Sequence, residues 1–148
     1  MKLSVNLNKI ALLRNSRGGN TPSLIDYAEQ SIKLGVDGLT LHPRPDHRHA
    51  TSQDALLISD LCRRNNIEFN LEGNPFSEPE GDYLGFELLC LESQPDQVTL
   101  VPDTLDQITS DHGWQRGYMD TELRVFIKKM NNSKCRTSLF INADIDSV

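Results

Sequence analysis

Long apolar runs are missing from this chain, and so is any charged-then-apolar leader. Neither a membrane span nor a secretory signal is therefore expected. Cysteine is sparse: Cys62, Cys90 and Cys135 are odd in number and far apart, with no CxxC pair and no disulfide framework. They read as small buried apolar residues in a reducing cytoplasm. An excess of positive charge is lacking too. A net charge of −6 argues against a nucleic-acid surface.

What is present is unevenly placed. Residues 1 to 49 hold 7 Lys/Arg against 4 Asp/Glu, whereas residues 50 to 148 hold 8 against 17. A basic N-terminal third on an acidic protein suits a small anionic ligand better than a polyanion. The length of 148 residues fits a single domain with a sizeable core.

Residues 3 to 8 alternate apolar and polar as a strand does. Residues 9 to 19 read as a connection carrying Arg14, Arg17 and the pair Gly18-Gly19. Thr21 with Pro22 signals a helix start, Leu24, Ile25, Ala28, Ile32 and Leu34 form its apolar stripe, and Gly35 ends it. A strand at 38 to 43 is followed by a helix from Thr51 or Ser52, with Ala55, Leu56, Ile58, Leu61 and Cys62 as its buried face and Asn65-Asn66 at its end. A strand at 67 to 72 leads into a polar loop at 76 to 82. A helix is expected from about Tyr83 to Glu92, a strand at 97 to 101, a helix from about Tyr118 to Asn131, and a fifth strand at 136 to 142.

Five strands and four helices in alternation specify an α/β protein with a parallel sheet. Parallel strands covered on both faces read as continuous apolar runs. Here one parity stays polar: Ser4, Asn6 and Asn8, then Thr40 and His42, then Asn70 and Glu72, then Thr99, then Ser138 and Asn142. Polar groups on one side of several strands describe the lumen of a (β/α)8 TIM barrel with an active site at its mouth. No glycine-rich dinucleotide fingerprint follows the first strand, which disfavours a doubly wound sheet. Five strands make only a partial barrel, the N-terminal portion of one. Its two open parallel edges predict association of the isolated chain, which light scattering would register.

The chemistry gathers where the second strand opens into His42-Pro43-Arg44-Pro45-Asp46-His47-Arg48-His49. Glu72 ends the third strand on the same parity and at the same height as His42. A carboxylate there gains a raised pKa if buried, and with His42 it could divide a proton transfer. A salt-bridged Glu72 and a hydrogen-bonded structural His42 are the plainer alternatives. Arg44 and Arg48 suit phosphate. Arg14, Arg17, Gly18 and Gly19 offer a second anion site, or else solvated loop charge. No carboxylate or cysteine with ligand spacing accompanies the histidines, so no metal is expected.

Several stretches, in order along the whole chain, resemble the pyridoxine 5′-phosphate synthase family. They are Val5-Asn6-Leu7-Asn8-Lys9-Ile10-Ala11, Leu13-Arg14-Asn15-Ser16-Arg17-Gly18, Asp37 through Asp46 with Arg48-His49, Asn70-Leu71-Glu72, Pro95 through Asp103, and Ser138 through Asp144. The resemblance implies a cytoplasmic barrel enzyme of vitamin B6 synthesis, assembled as a homo-octamer and needing no cofactor. It would condense 1-deoxy-D-xylulose 5-phosphate with 3-amino-2-oxopropyl phosphate, releasing phosphate and water. His42 and Glu72 would be the acid/base residues. Asn6 and Arg17 would hold the aminoketone phosphate; Arg44, His49 and Thr109, with Asn8 and Lys9, would hold the deoxyxylulose phosphate.

Three departures accompany the resemblance. Asn8 and Lys9 stand where many members carry Asp and His, so a titratable pair is gone. The loop at 76 to 82 reads as a surface insertion. The family's later half, with a further catalytic histidine and glycine-rich phosphate loops, is not in these residues, so the 148-residue chain alone is expected to be inactive. A non-catalytic half-barrel that binds phosphosugars or self-associates is the alternative, and a metal-dependent sugar isomerase or aldolase barrel is a weaker one.

Overall fold

A computed structural model of the chain describes residues 1–115 and 121–143. Its elements run β1 (Ser4–Asn6), α1 (Asn8–Ser16), α2 (Leu24–Lys33), β2 (Gly38–Leu41), α3 (Ser52–Asn65), β3 (Glu68–Gly73), α4 (Phe86–Ser93), β4 (Gln97–Leu100), α5 (Thr121–Asn132) and β5 (Arg136–Leu139). All five strands form one sheet in the order β1-β2-β3-β4-β5, and every neighbouring pair is parallel. Spatial order that follows chain order is barrel winding; a doubly wound sheet reverses direction at a switch point.

The two parities of the strands have separate surroundings. Leu39, Leu41, Phe69, Leu71, Val98 and Leu100 are buried in one core with Ala28, Ala55, Ile58, Leu89 and Phe126 of the helices. The opposite parity forms a row of side-chain hydrogen bonds across four strands. Ser4 Oγ meets Thr40 Oγ1 at 3.0 Å, and Asn70 Nδ2 donates to Thr40 Oγ1 at 3.3 Å. Thr99 Oγ1 and Gln97 Nε2 both donate to Asn70 Oδ1, at 2.9 and 3.2 Å. Ser4, Thr40, Asn70, Gln97 and Thr99 thus satisfy one another, as a lumen lined by side chains requires. At the opposite strand ends, Asp37 and Asp96 accept from the backbone N–H of Leu3 and Phe69.

Several boundaries depart from expectation. Residues 8 to 16 form a helix, not an open connection, so there are five helices among the described residues and not four. Asn6 Oδ1 accepts from Asn8 N at 2.9 Å and turns the chain out of β1 into α1. Only Ala11 and Arg14 of α1 are buried, so no apolar stripe announces it. Helix α2 is capped by Ser23, whose side chain accepts from Asp26 N, and Thr21-Pro22 lies ahead of it. Leu34 is the α2 C-cap and is 85% exposed, outside the stripe assigned to it. Helix α3 starts with a capping box between Thr51 and Asp54 and ends at Asn66 with φ 54°, near where its signals fall. Tyr83 is not helical; its backbone pairs with Glu80 across a tight turn, and α4 begins at Phe86. Helix α5 is described from Thr121, and residues 118 to 120 of its expected start lie outside the described residues.

Gly73 at the end of β3 shows how tightly the helix layer seats. A Cβ there would lie 2.5 Å from two ring atoms of Phe86, a fully buried side chain that itself stacks on Phe126. Gly73→Ala is expected to destabilise the protein by about 2–3 kcal/mol through overpacking. A lowered urea midpoint with an unchanged slope would register it.

Candidate active site

The loop after β2 is built by backbone and side-chain bonds from its neighbours. His42 N donates to Asn8 Oδ1 at 2.8 Å, tying the end of β2 to the start of α1. Asn15 Nδ2, near the other end of that helix, donates to the carbonyls of His47 and His49 at 2.9 and 2.7 Å. Arg48 spreads across the next loop. Its Nε bonds Asp46, and its Nη atoms reach the carbonyls of Leu105, Gln107 and Ile108 at 2.5–3.0 Å. The loop following β4 is thereby drawn over the loop following β2, which brings Thr109 to the site.

These contacts enclose a cleft of about 660 Å³ at the C-terminal ends of the strands. Asn6, Asn8, Lys9, His42, Arg44, His49, Glu72 and Thr109 all line it, with Leu12, Arg48, Val101, Ile108, Ser110 and Phe140. Arg17 does not; it is exposed at the C-terminal end of α1. The register pairs Leu41 with Leu71, which sets His42 and Glu72 side by side one residue further on. Asn6 Nδ2 donates to Glu72 Oε2 at 3.3 Å from two strands away.

Asp103, just after β4, is the group that the linear pattern did not single out. Its carboxylate is buried, accepts a bond from Arg44 Nη1, and lies 3.4 Å from His42 Nε2. Arg44 also donates to the Thr104 carbonyl at 2.7 Å, and its Nε lies 3.8 Å from Asp46. Much of the Arg44 guanidinium is therefore engaged within the protein. Lys9 has no such partner among the described residues and is exposed at the rim.

Burial dominates the electrostatics. It pushes the His42 imidazole down to about 3, assisted by the neighbouring His49 and Arg44. It takes His49 down to about 4, with Arg44 adding to the effect. Burial raises Glu72 to about 7; the Asn6 bond opposes this and the nearby Asp103 adds to it. Burial also raises Asp103, against the pull of Arg44. At neutral pH the cleft thus presents neutral imidazoles beside a carboxyl group poised between its two forms, a pairing suited to moving protons.

Arg14 is not free to join Arg17, Gly18 and Gly19 in a second anion site. Arg14 turns inward, where its Nη1 and Nη2 bond Asp54 Oδ1 and Oδ2 at 2.6 and 2.8 Å. Gly18 follows the C-terminus of α1 with φ +67°. Among the described residues, no group of three or more His, Cys, Asp or Glu side chains is arranged to hold a metal ion.

The family model for the pyridoxal phosphate biosynthesis protein PdxJ matches residues 3–148. The chain belongs to the PdxJ family. Curated relatives named pyridoxine 5′-phosphate synthase include proteins of Xylella fastidiosa strain M23, 49% identical over 144 residues, and Xanthomonas axonopodis pv. citri strain 306, 49% identical over 142. A third, from Xanthomonas oryzae pv. oryzae strain MAFF 311018, is 47% identical over 143 residues. These alignments cover 96–97% of this chain and 55–56% of the relatives.

The PdxJ chain therefore spans about half the length of the curated relatives it matches. PdxJ is a TIM-barrel family, and the five strands in sequential order are a partial barrel of that kind. The PdxJ motifs meet in space as well as in order: Asn6 and Asn8 from the first, His42 and Arg44 from the third, Glu72 and Asp103 from those that follow. Asp103 could have been suspected from its place, an acidic residue three positions beyond the end of β4 on the mouth side. Asn15 carried no comparable signal, because its role depends on two carbonyls more than 30 residues away. No helix among the described residues is long and apolar enough to cross a membrane.

Proposed function

We propose that this PdxJ chain supplies the first half of a pyridoxine 5′-phosphate synthase site. The reaction condenses 1-deoxy-D-xylulose 5-phosphate with 3-amino-2-oxopropyl phosphate, giving pyridoxine 5′-phosphate, phosphate and water. The observation that carries this reading is the adjacency of a neutral His42 and a Glu72 that titrates near neutrality, within one cleft at the strand ends. Joining an amine to a ketone forms a C=N bond and expels the carbonyl oxygen as water. It needs one group to give a proton to that oxygen and another to remove protons from nitrogen and then carbon. Protonated Glu72 can give; neutral His42 can take.

Asn8, Lys9, Arg44, His49 and Thr109 hold the deoxyxylulose phosphate in this reading, with exposed Lys9 as the adaptable charge. Asn6 and Arg17 serve the aminoketone phosphate. Arg17 stands outside the cleft lining, so its part in the assignment rests on family resemblance alone. The protein works in the cytoplasm as a homo-oligomer and uses no metal or organic cofactor.

The test is an assay of the native protein with both phosphates, following pyridoxine 5′-phosphate by mass spectrometry. Product is expected, and His42→Gln should lower kcat by about 10²-fold or more. No product from the native protein would sink the reading. The 148-residue polypeptide alone is expected to bind deoxyxylulose phosphate without turnover. The resemblance assigns a further catalytic histidine and phosphate-holding glycines to the family's later half.

A further inference from the structure

An imidazole that accepts a proton must do so at one particular nitrogen, and the choice is set by what the other nitrogen meets. His42 Nε2 lies 3.4 Å from Asp103 Oδ2, close to hydrogen-bond reach. Nδ1 has no hydrogen-bond partner among the described residues. The backbone leaves the ring little freedom, because His42 N–H is held by Asn8 Oδ1 and the ring packs edge-on against His49 with centroids 5.6 Å apart.

The carboxylate is fixed more firmly than the histidine. Asp103 is 6% exposed; Arg44 Nη1 bonds its Oδ2, and Asn74 Nδ2 donates to its backbone carbonyl at 2.7 Å. The other charged or titratable groups around His42 are His49, Arg44, Asp46 and Arg48 from the same loop, with Glu72 across the cleft. Asp103 is the acceptor placed against Nε2. An ionised carboxylate can only accept, so a proton on Nε2 gains a charge-assisted bond. The other tautomer would set a bare lone pair against a buried anion.

We infer that Asp103 is a positioning residue, which holds His42 as the Nε2–H tautomer and so leaves Nδ1 as the nitrogen that exchanges protons with substrate. The inference rests on the reading of His42 as an acid/base residue. Asp103 touches no reacting atom in this arrangement. It acts through the ring, as a buried carboxylate does when it orients a catalytic imidazole. Arg44 has a matching task, since its guanidinium keeps the charge on Asp103 in a buried place.

The tautomer can be read without turnover. Protein labelled with 15N-histidine is examined at pH 7 by long-range proton–nitrogen correlation, with His42 assigned by its loss in His42→Gln. The expected pattern is a protonated Nε2 and a bare Nδ1. Asp103→Asn, whose amide can offer either a donor or an acceptor, should turn this into a tautomer mixture, and Asp103→Glu should restore it. In the native enzyme the same Asp103→Asn change should lower kcat by about 10²-fold with KM little altered. A bare Nε2 in the unsubstituted protein overturns the inference, and so does an unchanged tautomer in Asp103→Asn. If Asp103→Asn does not fold, the unsubstituted spectrum still decides. Product formation beside the wrong tautomer would defeat this inference alone, whereas the right tautomer without product would defeat the proposed reaction alone.

Discussion

Asp54→Ala is expected to destabilise the protein by about 5 kcal/mol without altering any residue of the cleft. Asp54 makes the bidentate bond to Arg14 and also accepts from Thr51 N at 2.8 Å and Thr51 Oγ1 at 3.0 Å. Both side chains of the ion pair are about 11% exposed. Taking one partner away leaves a guanidinium buried without its counter-charge, which costs about 3–5 kcal/mol. Losing the capping box of α3 adds about 1 kcal/mol. The double change Arg14→Met with Asp54→Ala should recover most of the loss, because removing both charges spares the desolvation cost. Urea unfolding of the three variants checks this, and an Asp54→Ala midpoint equal to the parent's would refute it. Burial raises the Asp54 carboxyl, but the bonds from Arg14 and Thr51 outweigh it and hold the group below its ordinary range. Its contribution is therefore present above that range and fades as the solution is acidified.

Glu72→Gln should separate stability from activity. Turnover of the native enzyme is expected to fall by about 10²–10⁴-fold, because glutamine neither gives nor takes a proton. Stability at pH 8 should rise by about 2 kcal/mol, a figure reduced for the partial exposure of the site. The sign follows from the raised pKa. Folded Glu72 titrates at about 7 and an unperturbed glutamate at 4.5, so the folded state holds its proton more tightly between those values. Stability from this group is full below 4.5 and is lost as the pH rises through 7. His42 works in the opposite sense. Its folded pKa of about 3 lies below the ordinary 6.5, so its contribution is present above 6.5 and is lost on descent toward 3. The two slopes oppose each other from 4.5 to 6.5, and Glu72→Gln should expose a steeper rise of stability with pH there. Urea midpoints at pH 5 and pH 8 measure both effects. A variant less stable than the parent at pH 8 would contradict the burial assigned to Glu72.

The barrel winding and the height of the site were legible because they depend on period and order. Alternation in Leu39-Thr40-Leu41-His42 and Phe69-Asn70-Leu71-Glu72 assigns each residue to a face, and a parallel register then sets His42 beside Glu72. What was not legible depends on partners distant in sequence. Arg14 reads as an anion ligand until Asp54, 40 residues away, is seen to hold it. Arg44 reads as a free phosphate clamp until Asp103, 59 residues away, is seen to engage it. Helix α1 escaped notice because its burial rests on Ala11 and Arg14, while Leu12 and Leu13 are 41% and 52% exposed. The expected start of α4 at Tyr83 fell short in the other direction: Tyr83 sits in the turn before the helix, paired with Glu80.

The titration of Glu72 tests the central claim most directly, since the proton exchange assigned to the cleft requires a carboxyl group that is half ionised near neutrality. Carbon-detected resonance of its side-chain carboxyl, followed from pH 4 to pH 9 and assigned by Glu72→Gln, should show a midpoint near 7. A midpoint at the ordinary glutamate value of 4.5 would mean that Glu72 is a permanent anion at neutral pH, and the acid/base pairing with His42 would fail.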